Sequence, residues 1–523
     1  MNDIVGDDTV VLGSGPAGVA LADGLLRRGR SVLLVESGVA RERDTDRATS
    51  EGGDPRGVWG HEPLGEHRRR VLGGTSTAWG GRCIPLDPLD FEVRSWVPDS
   101  GWPISYDEYR RWLPEAARLL EIPAADFQRE EQDPLFGRGT DIDGSPIELW
   151  SPPTNVSKLL ARLQREHDNL TVIDDTHVTG IEFDPDGTIL SLRAVQAGQA
   201  VRIIGRRYVL AAGALENARL LLASAVGASL PALGRYYMSH VFATHMTYTG
   251  RSLPAASGFF RLGRTYARHR WQLTPEAQRR RRVGNVIGFI ARPPAHAVSI
   301  HLDPLTALVE AVKLVRRHIR SPRSLLGRRS DLAVYARVIA RADPGIWPQV
   351  LLQSVRRGAR NRLPMLLPPL NADVHHLWVQ AEHLPHADSR VVLSERRDRF
   401  GTPLLETEID FHRADFETVE AFHEAMEAFL GRQGYRAGRS PAAATRAVAS
   451  DMVGGFNSNA HHIGTARMGT DIATSVVDPD CRVHGSANLF VAGSAVFPTS
   501  GHANPTLSIV ALSYRLAEHL AEA

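Results

Sequence analysis

The most constraining feature of this chain is a glycine pattern set between two apolar runs. Thr9-Val10-Val11-Leu12 has the unbroken apolar character of a buried parallel strand. It leads into Gly13-Ser14-Gly15-Pro16-Ala17-Gly18, after which Val19 to Leu26 has helical composition and closes on Gly29. Ser31 to Val35 is a second strand, ended by Glu36. A GxGxxG by itself says little, because glycine punctuates many turns. Here it follows a strand, opens a helix and precedes an acidic residue 18 positions beyond its last glycine. That is the context of a dinucleotide-binding βαβ unit. The glycines admit a pyrophosphate to the positive end of the helix, and Glu36 can accept from ribose hydroxyls.

The remaining chain supplies material for more than this unit. At 523 residues it holds two to four domains' worth of sequence. With 43% hydrophobic and 23% charged residues it is not a disordered or fibrous chain. Strands are expected at 171–173, 178–183 and 208–214, with a helix over 216–222. Alternating segments at 243–249, 286–290, 376–381, 390–394 and 405–411 predict a separate sheet. Phe416, Val419, Phe422, Met426 and Leu430 fall on one face of a helix over 414–430. A last strand over 489–493 and a helix over 506–520 complete the chain.

The net charge of +2 hides a split. Residues 261–362 carry 22 basic and five acidic residues, a net of +17. The stretch contains three expected helices, near 305–320, 330–341 and 347–357, the first amphipathic with a basic polar face. It reads as a solvated surface subdomain or as a docking face for an anionic partner or membrane surface. Nucleic acid is not expected, since the apolar residues keep helical periodicity and no nucleic-acid motif accompanies the charge. Of the 61 basic residues only Lys158 and Lys313 are lysine, a bias that resembles codon usage more than chemistry. Cys83 and Cys481 cannot build a disulfide framework or, by themselves, a zinc site. No secretory signal or bilayer-length apolar run is visible, so a cytoplasmic protein is expected.

Near the C-terminus, Ser500-Gly501-His502-Ala503-Asn504-Pro505-Thr506 leads into the last helix, with Pro505 suited to its first turn. A histidine and an amide two residues apart can serve one cavity. Alcohol oxidation needs a base for the hydroxyl proton, and histidine is suited to it.

These motifs together resemble the glucose–methanol–choline (GMC) family of flavoprotein oxidoreductases. The resemblance rests on Gly13–Gly18 with Glu36, Leu72 to Gly81, His461-His462-Ile463-Gly464-Thr465-Ala466-Arg467-Met468-Gly469, and Asn488 to Thr506. Asp87 to Ser105 resembles bacterial sugar-oxidising members, and the likeness is thin between 251 and 370. The resemblance implies FAD, with Gly13, Ser14, Gly15 and Gly18 at the pyrophosphate and Glu36 at the ribose. It places Gly73, Gly74, Thr75, Ser76, Ala78 and Trp79 beside the flavin and pyrophosphate, Val178 near the adenine, and Ala212 and Gly213 along the dinucleotide. Gly493 and Ser494 would contact the linker, and Asn504, Pro505 and Thr506 the pyrimidine edge. Some relatives attach the flavin through a histidine where this chain has Ala78, so non-covalent FAD is expected. Many carry aspartate where Ser494 stands.

The resemblance implies His502 as base and Asn504 as the second catalytic residue, with hydride passing to flavin N5. His461 and His462 are taken as structural histidines rather than metal ligands, His240 as a buried hydrogen-bonded one, and no metal is expected. The expected fold is α/β: a doubly wound, Rossmann-like FAD domain (1–100, 165–235 and 450–523) with a sheet-based α+β substrate domain (101–164 and 236–449). A basic helical insertion spans about 300–362. The expected reaction is alcohol oxidation on a sugar-like or amino-sugar natural-product intermediate, with O2 or another electron acceptor. The alternatives are an FAD-retaining lyase of the same family, or a partner- or membrane-binding protein that uses the basic insertion.

Overall fold

The run Thr9–Leu12 is apolar at all positions but its first because it is the central strand of a five-stranded parallel sheet. In the computed structural model, which describes residues 2–49, 64–65, 67–123, 127–129, 136–151, 155–224, 229–250, 260–263, 265–291, 336, 374–409, 411–439 and 461–522, the strand order is Leu489–Val491, Arg207–Leu210, Thr9–Leu12, Val32–Val35, Leu170–Ile173. All four pairings are parallel, with Val10 opposite both Leu33 and Tyr208. The helices Pro16–Leu26 and Thr506–Glu522 lie together on this sheet. Their approach needs glycine: a Cβ on Gly24 would stand 2.6 Å from the Ala517 Cβ. The short helices Tyr106–Arg110 and Leu113–Leu119 join the same layer, tied by the Tyr109 hydroxyl to Ser508 Oγ (2.8 Å) and by Arg118 to Asp23 (2.7 Å).

The second large sheet has six antiparallel strands, in the order Arg436–Arg439, His240–Thr249, Val374–Glu382, Val286–Ala291, Trp271–Leu273, Ile142–Asp143. The helix Arg413–Gly431 covers it, and Val419, Phe422, Met426 and Leu430 pack with Leu377, Val379, Val286 and Trp271 in one core. The expected helical face is thus the buried one, with Phe416 at its margin. One expectation differs. Arg390–Arg397 and Pro403–Glu408 do not join this sheet but pair with each other as a hairpin. Val391 and Leu405 of that hairpin pack with Leu215 and Ala218 of the helix Ala214–Leu222, so their apolar faces are buried against a helix of the other layer.

Two smaller four-stranded sheets complete the α/β architecture. One joins Asn2–Val5 to Gln199–Ile204, Ile189–Gln196 and Thr176–Phe183. The other runs Phe260–Leu262, Thr265–His269, Ile147–Trp150, Arg82–Cys83. Cys83 and Cys481 are free and buried, and burial pushes both thiols up to about 12. Apart from residue 336, the three basic helices expected at 305–357 lie outside the described residues. Among the described residues, no helix is long and apolar enough to cross a membrane.

One ion pair clamps the segment before the second sheet onto the end of one of its inner strands, Val374–Glu382. Arg94 donates from both terminal nitrogens to Glu382 (2.7 and 2.6 Å), and neither side chain is exposed. Removing one partner strands a buried charge. Arg94→Ala is expected to cost about 3–5 kcal/mol, read as a lower midpoint in chemical unfolding; an unchanged midpoint would show that the clamp carries no stability.

Candidate active site

The glycine loop ends the central strand and opens a helix whose first residues no side chain caps. Gly13 is left-handed (φ 109°), and a Cβ on Gly18 would lie 1.9 Å from the Gly13 carbonyl oxygen, so both glycines serve the turn itself. Gly15 and Gly213 differ: nothing lies within 4 Å of where their Cβ would be. At Gly493 the nearest atom is the Ala17 Cβ at 3.9 Å. These three glycines border open space at the carboxyl ends of strands 9–12, 207–210 and 489–491, where parallel sheets bind their ligands. An uncapped helix N-terminus facing a cradle that Cβ atoms would fill fits the pyrophosphate of FAD.

The surrounding residues build this cradle. Ser14 donates its hydroxyl to Glu36 (2.6 Å) and accepts the Gly73 N–H (2.9 Å), coupling the two glycine loops. Glu36 also takes the Ser14 N–H (2.9 Å), the Gly38 N–H (2.7 Å) and the Ser37 hydroxyl (3.2 Å). Its two oxygens are therefore a strut of the loop, and a ribose hydroxyl must displace a serine hydroxyl to reach them. Gly74 sits against Gly15 and opens a short helical turn, Gly74–Thr77, in which Ser76 bonds back to Gly73. Thr75 and Ala78 are exposed, Trp79 half-buried, and Val178 half-buried in its strand. Asn217, which the sequence did not single out, receives the Ala212 N–H (2.9 Å) and donates to the Leu210 and Ala492 carbonyls (3.0 and 3.1 Å). It thereby fixes the ends of two strands that carry Ala212, Gly213 and Gly493. The Ser494 hydroxyl is occupied, donating to the His462 carbonyl (2.6 Å).

That last bond brings the two C-terminal motifs together. Asn504 and His461, 43 residues apart, approach to 3.0 Å between Nδ2 and Nε2. His461 Nδ1 lies 2.8 Å from His240 Nδ1, and His462 Nδ1 lies 2.7 Å from the Tyr237 hydroxyl. His461 and Asn504 are partly exposed, whereas His502 is wholly buried. His502 donates from Nε2 to Asp87 Oδ2 (2.9 Å), and the same carboxylate takes Asn285 Nδ2 (2.9 Å) and Gln272. Gln380, from strand 374–382, donates to the His502 carbonyl (2.6 Å) and to Asn504 Oδ1 (3.3 Å). Sequence reading passed over Asp87, Gln380 and the pairing of His461. The visible signal for Gln380 was a lone amide within the apolar run Trp378 to Ala381.

Burial and neighbouring charges keep the histidines of this centre neutral. Burial, reinforced by the Arg82 charge, lowers His461 to about 3. Burial and the adjacent His461 hold His240 well below its ordinary value. Burial also lowers His502, with Arg270 adding to it and Asp87 opposing it. Asp90 is pushed up to about 8 by burial and by its neighbours Asp87 and Glu382. A cleft of about 430 Å³ reaches Asp87, and its wall carries Glu92, Asp143 and Glu276 against Arg138 and Arg279.

Residues 385–513 match the family model described as GMC oxidoreductase. The chain is 25% identical to 6'''-hydroxyparomomycin C oxidase of Streptomyces lividus, over 98% of this chain and 92% of that protein. It is also 25% identical to paromamine 6'-oxidase of Streptomyces fradiae, over 98% and 91%. The solved pyridoxine 4-oxidase from Mesorbium loti superposes over 98% of each chain at a TM-score of 0.53, with 18% identity, so it shares the fold. Over residues 385–513 the chain thus resembles GMC oxidoreductases, and the two relatives that match nearly its whole length are named as oxidases.

The cradle yields a direct test. Gly15 has φ −69° and open space beside it, so Gly15→Ala leaves the turn unstrained while placing a methyl in the cradle. The variant is expected to fold with an unchanged far-UV spectrum and to purify with much less flavin absorbance. Full flavin content would mean that the pyrophosphate lies elsewhere.

Proposed function

We propose that this enzyme oxidises one hydroxyl-bearing carbon of an amino-sugar natural-product intermediate, with His461 as the base and Asn504 holding the substrate oxygen. The observation that carries the base assignment is the 3.0 Å contact between Asn504 and His461, both partly exposed beside each other. It replaces the expectation for His502. That imidazole is wholly buried, and its Nε2 proton is committed to Asp87. A substrate hydroxyl has no path to a side chain with no exposed surface.

In this reading the hydroxyl oxygen enters between the Asn504 amide and His461. Asn504 Nδ2 turns its hydrogen bond from the imidazole to that oxygen, and His461 Nε2 accepts the hydroxyl proton. Bound FAD supplies the acceptor for the hydride that leaves carbon, so the product is an aldehyde or ketone. A neutral imidazole is ready at physiological pH because burial and Arg82 disfavour its cation. His502 positions the loop that carries Asn504, through Asp87 on one side and Gln380 on the other.

What supports the substrate class is the pair of relatives spanning 98% of the chain, named as oxidases of 6'''-hydroxyparomomycin C and of paromamine. The cleft that reaches Asp87 is compatible with it, since four carboxylates against two guanidiniums favour an amine-bearing ligand. Ala78 offers no nucleophile to the flavin, which supports non-covalent FAD.

Anaerobic mixing with aminoglycosides, neutral sugars and simple alcohols is the decisive screen. Flavin bleaching is expected fastest with the amino sugars; bleaching by simple alcohols alone would overturn the substrate class. His461→Ala is expected to slow flavin reduction by about 10²–10⁴-fold, and His502→Gln by less. A near wild-type rate in His461→Ala would remove His461 as the base.

A further inference from the structure

The base reading leaves one question of chemistry open: a neutral imidazole has one lone pair, and only Nε2 faces Asn504. Which nitrogen carries the proton is set by hydrogen-bond partners, and here their directions are forced from a distance. Glu148 is buried, and although burial opposes its charge, Arg268 and Arg82 outweigh that and hold its carboxyl below the ordinary value. It takes Arg82 Nε (3.1 Å) and Nη2 (2.6 Å) on one oxygen and Arg268 Nε (2.7 Å) on the other. Phe289 lies beneath both guanidiniums. Arg82 is therefore pinned, and its Nη1 points to Gln380 at 3.1 Å.

From that point every direction follows. A guanidinium only donates, so Gln380 must present Oε1 to Arg82. Its Nε2 then donates to Asn504 Oδ1 (3.3 Å) and to the His502 carbonyl (2.6 Å). With Oδ1 committed to Gln380, Asn504 turns Nδ2 toward His461. An amide N–H donates, so His461 Nε2 must carry the lone pair and Nδ1 the proton. That proton bridges to His240 Nδ1 at 2.8 Å, which must accept. Gln380, Glu148 and His240 are fully buried, so bulk water does not compete for these bonds.

We infer that Gln380, oriented by Arg82, is a positioning residue that fixes the amide of Asn504 and thereby sets the Nε2 lone pair of His461. The inference deepens the base assignment above and rests on it. Gln380→Glu keeps the acceptor for Arg82 but cannot donate to Asn504. The amide of Asn504 then turns over, presents Oδ1 to His461 and draws a proton onto Nε2. Gln380→Met removes donor and acceptor with little change in volume, leaving the amide undirected but unreversed.

The experiment compares anaerobic flavin reduction by a saturating amino sugar across pH in both holoenzymes. In Gln380→Glu the rate at neutral pH is expected to fall about 10²-fold or more. Its ascending limb is expected to move to higher pH, because a base that binds its proton more tightly is free only at higher pH. In Gln380→Met a smaller loss with an unmoved limb is expected. Equal losses in the two variants with the wild-type pH profile would reduce Gln380 to a packing residue and overturn the inference. Should neither variant retain FAD, the nitrogen-15 histidine spectrum of the wild-type holoenzyme decides, with His461 assigned by its loss in His461→Asn. An unprotonated Nε2 is expected, and a protonated one overturns the relay. The two readings fail separately. A near wild-type rate in His461→Ala removes the base, whereas an inactive His461→Ala beside an unshifted Gln380→Glu removes only the relay.

Discussion

One partly buried carboxylate, that of Asp87, is the point on which the candidate site depends. It accepts from His502 on the C-terminal loop, from Asn285 before one strand of the six-stranded sheet and from Gln272 on another. Three donors converge on its Oδ2 and offset the cost of drawing the charge out of water. Its hydrogen bonds tie residues 185 to 415 positions apart in sequence, and they hold the loop bearing Asn504 against the second sheet.

Much of the first sheet was legible because its code is local. Strand, glycine turn, helix and strand follow one another within 30 residues, and the spacing of Gly13, Gly15, Gly18 and Glu36 carries its own chemistry. Within that unit the role of Glu36 was less legible: it is engaged by Ser14, Ser37 and Gly38 and braces the loop. The helix Arg413–Gly431 was equally readable, since 3.6-residue periodicity reports which face is buried.

The proposed pairing of His461 with Asn504 was not legible, for a physical reason. His502 and Asn504 are two residues apart and invite a joint role, but the turn at Gly501 (φ 54°) sends His502 inward to Asp87 while Asn504 stays partly exposed. The partner of Asn504 comes from 43 residues upstream, through a crossing held by Ser494 and the His462 carbonyl. The hairpin 390–408 misled in the same way: alternation reveals a two-faced strand but not which layer will cover it.

The crossing at Ser494 has an evolutionary consequence. Both groups proposed to handle the hydroxyl, His461 and Asn504, sit on the C-terminal block, while the six-stranded sheet reaches them through His240, which bonds His461, and through the amide of Gln380, which bonds Asn504. Such a layout is modular: the wall that meets the rest of a ligand is free to diverge, provided those two residues keep their contacts with the chemical block. New substrates would then be acquired by remodelling a surface, not by rebuilding a reaction.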